Sequence, residues 1–571
     1  MIGAELMARA IERQGVGTVF GLPGHLESFF GALQAREIRL IHMRHEAAVV
    51  TAADGYARMR RGIGVACVTA GPGLANAIGG LAPAYEAGTP LLVISGRNPF
   101  SLLDASAIQE MDHPRMVRPI TKWAQTVHEA SRLGEYVDMA CRIALSGRPG
   151  PVLLDVPRDF AEGSVDEEIA ARSLGSLTRA ARPLADPGAI RRVADLLVEA
   201  ERPLVVAGNG AFWGEAGEGL RKLAHDFGMP VMAKGSGRGL VPEDGETVLS
   251  WAQGHPAARH ADVVFVVGTR LNGTIGFGAP PYFSEDARFI QIDIDAAEIG
   301  RNRHVEVPVV GDCGPAVDEI AAELARRYAK PRDAGWMKDA LQDRMSRLER
   351  LGREEKGMVH PLRMARELAP RMPENAIFVG DGANCLNWYK AILKVRATAG
   401  WMEQDPFGSM GVGLPLAIGA MAAEQETASP RPVFLGTGDG ALGQYLGELA
   451  TASLHRLPLF IMVANDGSWG ASRNITLRLF GGTSGVEMNQ SRYDLVAEGL
   501  ECHGEFAASP EEVGPAFDRA LQAVRGGKPA LVNVLVDRES GALRADPLLQ
   551  MVTFNPGWAP ARPRRPTGRA G

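Results

Sequence analysis

The sequence predicts an α/β protein with three doubly wound parallel-sheet domains. Three observations lead there. Short apolar runs rich in Val, Ile and Leu recur along the whole chain. Longer amphipathic segments separate them. Glycine is unusually frequent, at 68 of 571 residues against a usual share of about 7%, so many turns need positive φ or a close backbone approach.

The apolar runs come in order. Val65–Val68, Leu91–Ile94 and Val152–Leu154 are followed by Leu204–Ala207, Val263–Val267 and Phe289–Ile292, then by Ile377–Val379, Val433–Leu435, Leu459–Val463 and Leu531–Val534. They do not alternate with polar residues, as expected of strands covered on both faces. Helical periodicity marks Glu5–Gln14, Ile190–Ala200 and Pro315–Arg327. Strand–helix alternation repeated this often means parallel sheets. At roughly 150 residues per domain the length suggests about three or four domains. Two linkers divide the chain. Residues 160–190 hold Arg182-Pro183 and Asp186-Pro187. Residues 329–358 hold Ala-Lys-Pro-Arg-Asp and then a charged helix through Arg344, Arg347, Glu349, Arg350, Arg353, Glu354 and Glu355. The expected domains are therefore 1–175, 186–330 and 355–545, each large enough for its own sheet. A tail over 546–571 carries Arg562, Arg564, Arg565 and Arg569. It reads either as a flexible end or as a segment that folds over an anionic ligand.

Composition excludes several classes. With 61 Lys+Arg and 67 Asp+Glu the net charge is −6, so no broad basic surface for nucleic acid is expected. The five cysteines, Cys67, Cys141, Cys313, Cys385 and Cys502, include no C-x-x-C pair, which argues against disulfides or structural zinc and for a cytoplasmic setting. Met-Ile-Gly-Ala-Glu is not a signal peptide. No apolar stretch reaches the about 18 residues of a membrane span.

The strongest chemical signal is Gly438-Asp439-Gly440, followed after 24 residues by Asn465-Asp466. Each follows a predicted strand, so two parallel strands end in acidic turns at the carboxyl edge where α/β sheets bind ligands. Asp439, Asp466 and a main-chain carbonyl near Ser468 suit a hard cation such as Mg²⁺, with phosphate oxygens completing its octahedron. The N–H groups from Gly440 through Leu442 open a helix and form a phosphate nest.

These motifs resemble the diphosphate signature of thiamine-diphosphate (ThDP) enzymes. That family usually carries Asn-Asn in the second motif, so Asp466 adds one negative charge and implies tighter metal binding or a different ion preference. Arg44-His45-Glu46-Ala47-Ala48, with Ala53-Asp54-Gly55-Tyr56-Ala57-Arg58, resembles the segment holding the catalytic glutamate of the acetolactate synthase-like group. The resemblance implies that Glu46 hydrogen-bonds the cofactor's aminopyrimidine ring and so promotes loss of the thiazolium proton; the difficult chemistry belongs to the cofactor. It also implies cofactor contacts at Pro23, Gly71, Asn76, Gly382, Ala383, Gly408, Met410, Gly438, Gly440, Ala441, Ser468, Trp469, Gly470 and Ala471. On this basis the three domains are a pyrimidine-binding, a central and a diphosphate-binding domain.

Within the group, Pro119-Ile120-Thr121-Lys122-Trp123-Ala124 and Ser468-Trp469-Gly470-Ala471 look like benzaldehyde lyase. The middle block around Gly268–Asn272 and Phe289–Ile294 resembles 2-hydroxyacyl-CoA lyase and oxalyl-CoA decarboxylase. That block can hold an ADP-like moiety, so Arg270 on a phosphate and Asp293 on a ribose form a candidate nucleotide or CoA site, or a vestigial one. Acetolactate synthases bind FAD there, and the match to their pattern is weaker, so FAD is not expected. The expected function is a ThDP- and Mg²⁺-dependent lyase or carboligase. It would act on a 2-hydroxyacyl-CoA or 2-hydroxy ketone and release an aldehyde through a cofactor-bound carbanion. Two departures bear on the acid–base groups. Leu26 stands where benzaldehyde lyase-like sites have a histidine, which leaves the adjacent His25 as the candidate. Gln404 stands where another histidine is usual. His25, Gln109 and Gln404 are thus the polar candidates beside Glu46.

Alternatives remain at this stage: acetolactate synthase-type carboligation of 2-oxo acids, decarboxylation of oxalyl-CoA or a 2-oxo acid, and a non-catalytic ThDP-fold binding protein. A nicotinamide or flavin oxidoreductase fits poorly, because Gly208-Asn209-Gly210 lacks the third glycine of a dinucleotide turn. The family builds one cofactor site from two subunits, which implies a homodimer or homotetramer.

Overall fold

A computed structural model describes residues 1–174, 181–327, 331, 333–351, 357–404 and 406–540. The tail expected from 546 lies outside the described residues, as do Arg353, Glu354 and Glu355.

Three six-stranded sheets follow one another along the chain, and every strand pairing within them is parallel. The first contains β1 (Thr18–Gly21), β2 (Arg39–His42), β3 (Gly64–Val68), β4 (Leu91–Arg97), β5 (Trp123–Thr126) and β6 (Val152–Pro157), in the order β2-β1-β3-β4-β6-β5. The second contains β7 (Pro203–Ala207), β8 (Val231–Ala233), β9 (Val248–Ser250), β10 (Val263–Val267), β11 (Arg288–Asp293) and β12 (Val307–Val310), in the order β12-β11-β10-β7-β8-β9. The third contains β13 (Ile377–Gly380), β14 (Trp401–Glu403), β15 (Val433–Gly438), β16 (Leu459–Asn465), β17 (His503–Ala507) and β18 (Ala530–Leu535), in the order β14-β13-β15-β16-β18-β17. Helices cover both faces, as the unbroken apolar runs require. All ten predicted runs are strands, and each lies inside its sheet rather than at the rim.

The predicted helices form at Gly3–Arg13, Pro187–Glu199 and Cys313–Ala325. Asp186 starts the second of these by accepting the N–H of Ala189 at 2.7 Å, a side-chain cap of an orphan helix donor. The charged linker helix spans Gly335–Leu351.

The first and third domains share a core. One cluster of buried apolar side chains runs from Ala48 and Val50 through Leu416, Ala417 and Ile418 into Leu435 and Ile461. Its centre is a crossing of the Glu46–Arg60 and Gly413–Glu424 helices. A methyl group on Gly55 would strike the carbonyl of Leu416, and one on Gly419 would strike that of Ala52. Only bare backbone fits there. The central domain keeps separate clusters on the two faces of its own sheet.

Candidate active site

β15 and β16 are neighbours, with Gly438 opposite Ala464. The residues that follow therefore leave one sheet edge side by side. Asp439 is the first residue of the helix Asp439–Gln444, and Asp466 is the first residue after β16. Both line a cleft that opens to solvent. Among the predicted residues, Gly382, Ala383, Met410, Gly438, Gly440, Ala441, Ser468, Trp469, Gly470 and Ala471 line it too. Gly408 is left out of the lining, although its backbone, at φ +83°, takes the left-handed form that turns the chain toward Met410.

Asp439 and Asp466 are 2% and 6% exposed. Asp439 accepts the N–H of Gly467 at 2.9 Å. Asp466 accepts the N–H and the hydroxyl of Ser468 at 2.9 and 2.8 Å and the amide of Asn384 at 3.4 Å. Burial pushes Asp439 up to about 7, and the Asp466 carboxylate adds to the rise. Asp466 is also raised, by burial, against the pull of Ser468 and Asn384. Two buried carboxylates facing one cavity call for a cation. No group of three or more His, Cys, Asp or Glu occurs at metal-holding spacing among the described residues. The donor set is thus two carboxylates plus main chain, which fits a Mg²⁺ that also draws on phosphate oxygens. A methyl on Gly440 would fall 2.7 Å from the Trp469 ring, so glycine is what lets the helix N-terminus approach.

A residue the sequence reasoning passed over organises this cradle. Gly380-Asp381-Gly382 ends β13 and repeats the Gly-Asp-Gly of 438–440, a signal that was available. Asp381 is 1% exposed. Its two oxygens accept the N–H of Gly382 at 2.6 Å and of Gly413 at 2.8 Å. It thereby ties together the loops carrying Gly382 and Met410. Burial raises it to about 6, against three backbone donors, Gly413, Gly382 and Gly411. Gln404 donates to the carbonyl of Gly382 at 3.3 Å, and its own carbonyl oxygen is buried without a protein partner. Asn384, also missed, lines the cavity.

The edge of the first sheet holds the other group. Glu46 is the first residue of its helix, behind His45, whose ring accepts the N–H of Ala47 at 3.1 Å. It is half-buried and accepts the Asn76 amide at 3.1 Å. His25 sits at φ +58°. Its Nδ1 lies 3.1 Å from the Thr69 hydroxyl and its Nε2 3.3 Å from the Asn98 carbonyl oxygen. Asn98 in turn donates to the carbonyl of Ile108 at 2.8 Å, just before Gln109. The backbone of Gln109 packs on Gly71. Pro23 lies in the loop following β1, two residues before His25.

Neither Glu46 nor Gly71 lines the diphosphate cavity. The segment before Glu46 instead braces the chain's own third domain. The N–H of Arg44 donates to Glu448 at 2.9 Å, and the His45 and Tyr445 rings meet at 5.3 Å. Further along that helix, Arg58 pairs with Asp54 at 2.6 Å and donates to the carbonyl of Glu403 at 3.2 Å, next to Gln404.

The candidate nucleotide residues share a second cavity, open to solvent, at the carboxyl edge of the central sheet. Arg270 is engaged there by Glu86 of the first domain at 2.8 Å. Asp293 is raised to about 6, chiefly by burial, and accepts the N–H of Asp295 at 2.9 Å. No helix among the described residues is long and apolar enough to cross a membrane.

Comparison with known proteins agrees with this geometry. Three family models match in order: the thiamine pyrophosphate enzyme N-terminal TPP-binding domain over residues 1–116, the central domain over 190–320 and the C-terminal TPP-binding domain over 381–534. A probable acetolactate synthase of Mycobacterium bovis is 32% identical over 542 residues, covering 94% of this chain and 96% of that protein. A probable acetolactate synthase large subunit of Methanocaldococcus jannaschii is 30% identical over 555 residues, with 94% and 92% covered. The human protein 2-hydroxyacyl-CoA lyase 1 is 28% identical over 556 residues, covering 94% of this chain and 95% of that protein. Acetolactate synthases thus stand slightly nearer than the weaker match to their pattern suggested, and a few points of identity do not choose a substrate. The cavity lined by Asp439 and Asp466, the Glu46–Asn76 pair and the three matched domains together make this chain a thiamine-diphosphate-dependent enzyme of the acetolactate synthase-like lyase and carboligase group.

Proposed function

We propose that this enzyme makes and breaks the carbon–carbon bond beside a carbonyl in 2-hydroxyacyl-CoA or 2-hydroxy ketone substrates and releases an aldehyde, with Mg²⁺ as the metal. The observation that carries the substrate class is electrostatic. The polar candidates beside Glu46 are His25, Gln109 and Gln404, which are amides and one imidazole. The nearby guanidinium of Arg97 is spent on Asp155 at 2.8 Å. None of these described candidates carries a permanent positive charge to meet the carboxylate of a 2-oxo acid, whereas a neutral acyl group needs only the hydrogen bonds they offer.

Bound ThDP supplies the acidic thiazolium carbon and the electron sink. The protein's part is to hold and position. Asp439, Asp466 and the main chain near Ser468 would hold Mg²⁺ beside the diphosphate. Gly440 and Ala441 would present N–H groups to the phosphates. Met410, in the wall of the same cavity, would support the cofactor. Glu46, held by Asn76, would hold the proton that the cofactor's aminopyrimidine ring takes up or gives back. His25, Gln109 and Gln404 would hydrogen-bond the acyl oxygen and the leaving aldehyde. Glu46 is not in the lining of the diphosphate cavity, and the family builds one cofactor site from two subunits, so on this reading each site is completed by a second copy, in a homodimer or a pair of dimers. A nucleotide or CoA moiety is a subsidiary reading for the cavity at Arg270 and Asp293.

The test offers benzoin, a 2-hydroxyacyl-CoA, pyruvate and oxalyl-CoA in parallel with ThDP and Mg²⁺. Aldehyde release from either of the first two is expected. Acetolactate from pyruvate, with the first two inert, would overturn the substrate reading in favour of 2-oxo acids. Glu46→Gln separates an enzyme from a binding protein: turnover should fall by about 10²–10⁴-fold while ThDP still binds.

A further inference from the structure

His113 lies outside every motif discussed so far, yet it is the buried end of a relay that reaches Glu46. It opens the short helix His113–Val117 and is 0% exposed. Its Nε2 accepts the N–H of Gly71 at 2.8 Å. A backbone N–H can only donate, so Nε2 carries no proton and the proton sits on Nδ1. Nδ1 faces Asp155 Oδ1 at 2.8 Å, with the Ser95 hydroxyl farther off at 3.5 Å. Asp155 is also 0% exposed. Its other oxygen accepts from Arg97 at 2.8 Å and from the Thr126 hydroxyl at 2.9 Å. The ends of β4, β5 and β6 thus converge on one carboxylate that dictates the imidazole tautomer.

Gly71 needs that acceptor. It caps the Pro72–Ala87 helix at φ +56° and ψ −105°, with no side chain to help. Its other face is closed by the backbone of Gln109, so its N–H has no route to water. Just beyond the first turn of the same helix, Asn76 donates to Glu46.

We propose that His113 is a positioning residue for Glu46: locked in one tautomer by Asp155, it fixes Gly71, and with it the helix start that sets Asn76 and the backbone of Gln109. The proposal rests on reading Glu46 as the group that activates the cofactor.

Two measurements test it. Amide hydrogen–deuterium exchange on the cofactor-free protein reads the clamp directly. In His113→Leu the peptide covering 70–77 should exchange about tenfold faster, the scale of one buried hydrogen bond lost. His113→Gln, which can accept from Gly71 and donate to Asp155, should stay within about threefold of wild type. With ThDP and Mg²⁺ bound, deuterium uptake at the thiazolium carbon, read by NMR after acid quench, should slow about tenfold in His113→Leu and recover in His113→Gln. ThDP affinity, set by the distant diphosphate side, should change by less than about threefold. Unchanged amide exchange overturns the proposal. Faster amide exchange with wild-type deuterium uptake also overturns it, by reducing His113 to a structural part. Glu46→Gln separates the two readings. Wild-type uptake in that variant defeats the Glu46 reading itself, whereas slow uptake there with wild-type uptake in His113→Leu defeats only the His113 proposal. Should His113→Leu not fold, Asp155→Asn replaces it. The asparagine amide turned toward Nδ1 forces the proton onto Nε2 against the Gly71 N–H, and the same two effects are expected.

Discussion

At Asp381 one carboxylate gathers backbone donors from both sides of the cradle, and burial raises it to about 6. The sign of the consequence follows from linkage. A carboxyl group whose folded pKa exceeds its unfolded value of about 3.9 binds its proton more readily when folded. Its contribution to stability is therefore largest below pH of about 4, declines as pH rises toward 6 and is flat above. Asp439, Asp466 and Asp293 add to the slope in the same direction, so the share of Asp381 is read as the difference between wild-type and Asp381→Asn melts of the cofactor-free protein, and it should be on the order of 3 kcal/mol between those limits. Asp381→Asn should also weaken ThDP binding, because an amide cannot accept from both loops. At Asp466 the prediction concerns the metal. Asp466→Asn removes one of two crowded charges, so Mg²⁺ affinity, followed by activity against added metal, should fall by about tenfold or less, with the ThDP site intact. Asp439 and Asp466 were legible because short Gly- and Asn-rich turns after strands announce themselves in any sequence. Asp381 was equally legible, as a second Gly-Asp-Gly, and was overlooked. His113 was not legible at all: its meaning comes from a glycine 42 residues away and a carboxylate on another strand.

Among the elements, the crossing of the Glu46–Arg60 and Gly413–Glu424 helices bears most directly on function, since it sets the tilt of the helix that starts with Glu46. Gly55→Ala or Gly419→Ala inserts a methyl into a neighbouring carbonyl. Each should cost about 1–3 kcal/mol of stability in denaturant titration, as overpacking does, and lower turnover at saturating ThDP. The strands show where sequence reading succeeds and where it stops. Every continuous apolar run became an interior strand. The missed strands are mostly rim strands or short ones. Arg39-Leu40-Ile41-His42 is only partly buried, and His503-Gly504-Glu505-Phe506-Ala507 is intermediate along most of its length. A strand with one neighbour need not be apolar on both faces. Val231–Ala233 and Val248–Ser250 are three residues each, too short for any period to show. Thr18–Gly21 is fully buried yet missed, because its Thr and Gly ends leave only two apolar residues between them.

For the whole molecule, the absence of Glu46 from the lining of the diphosphate cavity leads to a mixing experiment. Glu46→Gln and Asp439→Asn proteins should each be inactive alone. If sites are completed across subunits, equal mixing with exchange makes half of the dimers hybrid, and each hybrid holds one intact site. Activity should then return to about a quarter of wild type. No recovery, with subunit exchange shown by mass spectrometry, would place each site within a single chain. The tripartite layout was readable from the linkers and the recurrence of strands. How the domains lean on one another was not, because those contacts join residues hundreds of positions apart, such as Arg44 and Glu448.

The grip of Glu86 on Arg270 has a further outcome. That guanidinium fastens the first domain to the central one, and any anion entering the cavity beside it must compete with the fastening. Its occupant would then exchange one domain–domain tie for its own contacts. Filling that pocket would stiffen the molecule less than its affinity suggests, leaving ties such as that of Arg61 to the carbonyl of Phe212 to hold the two domains together.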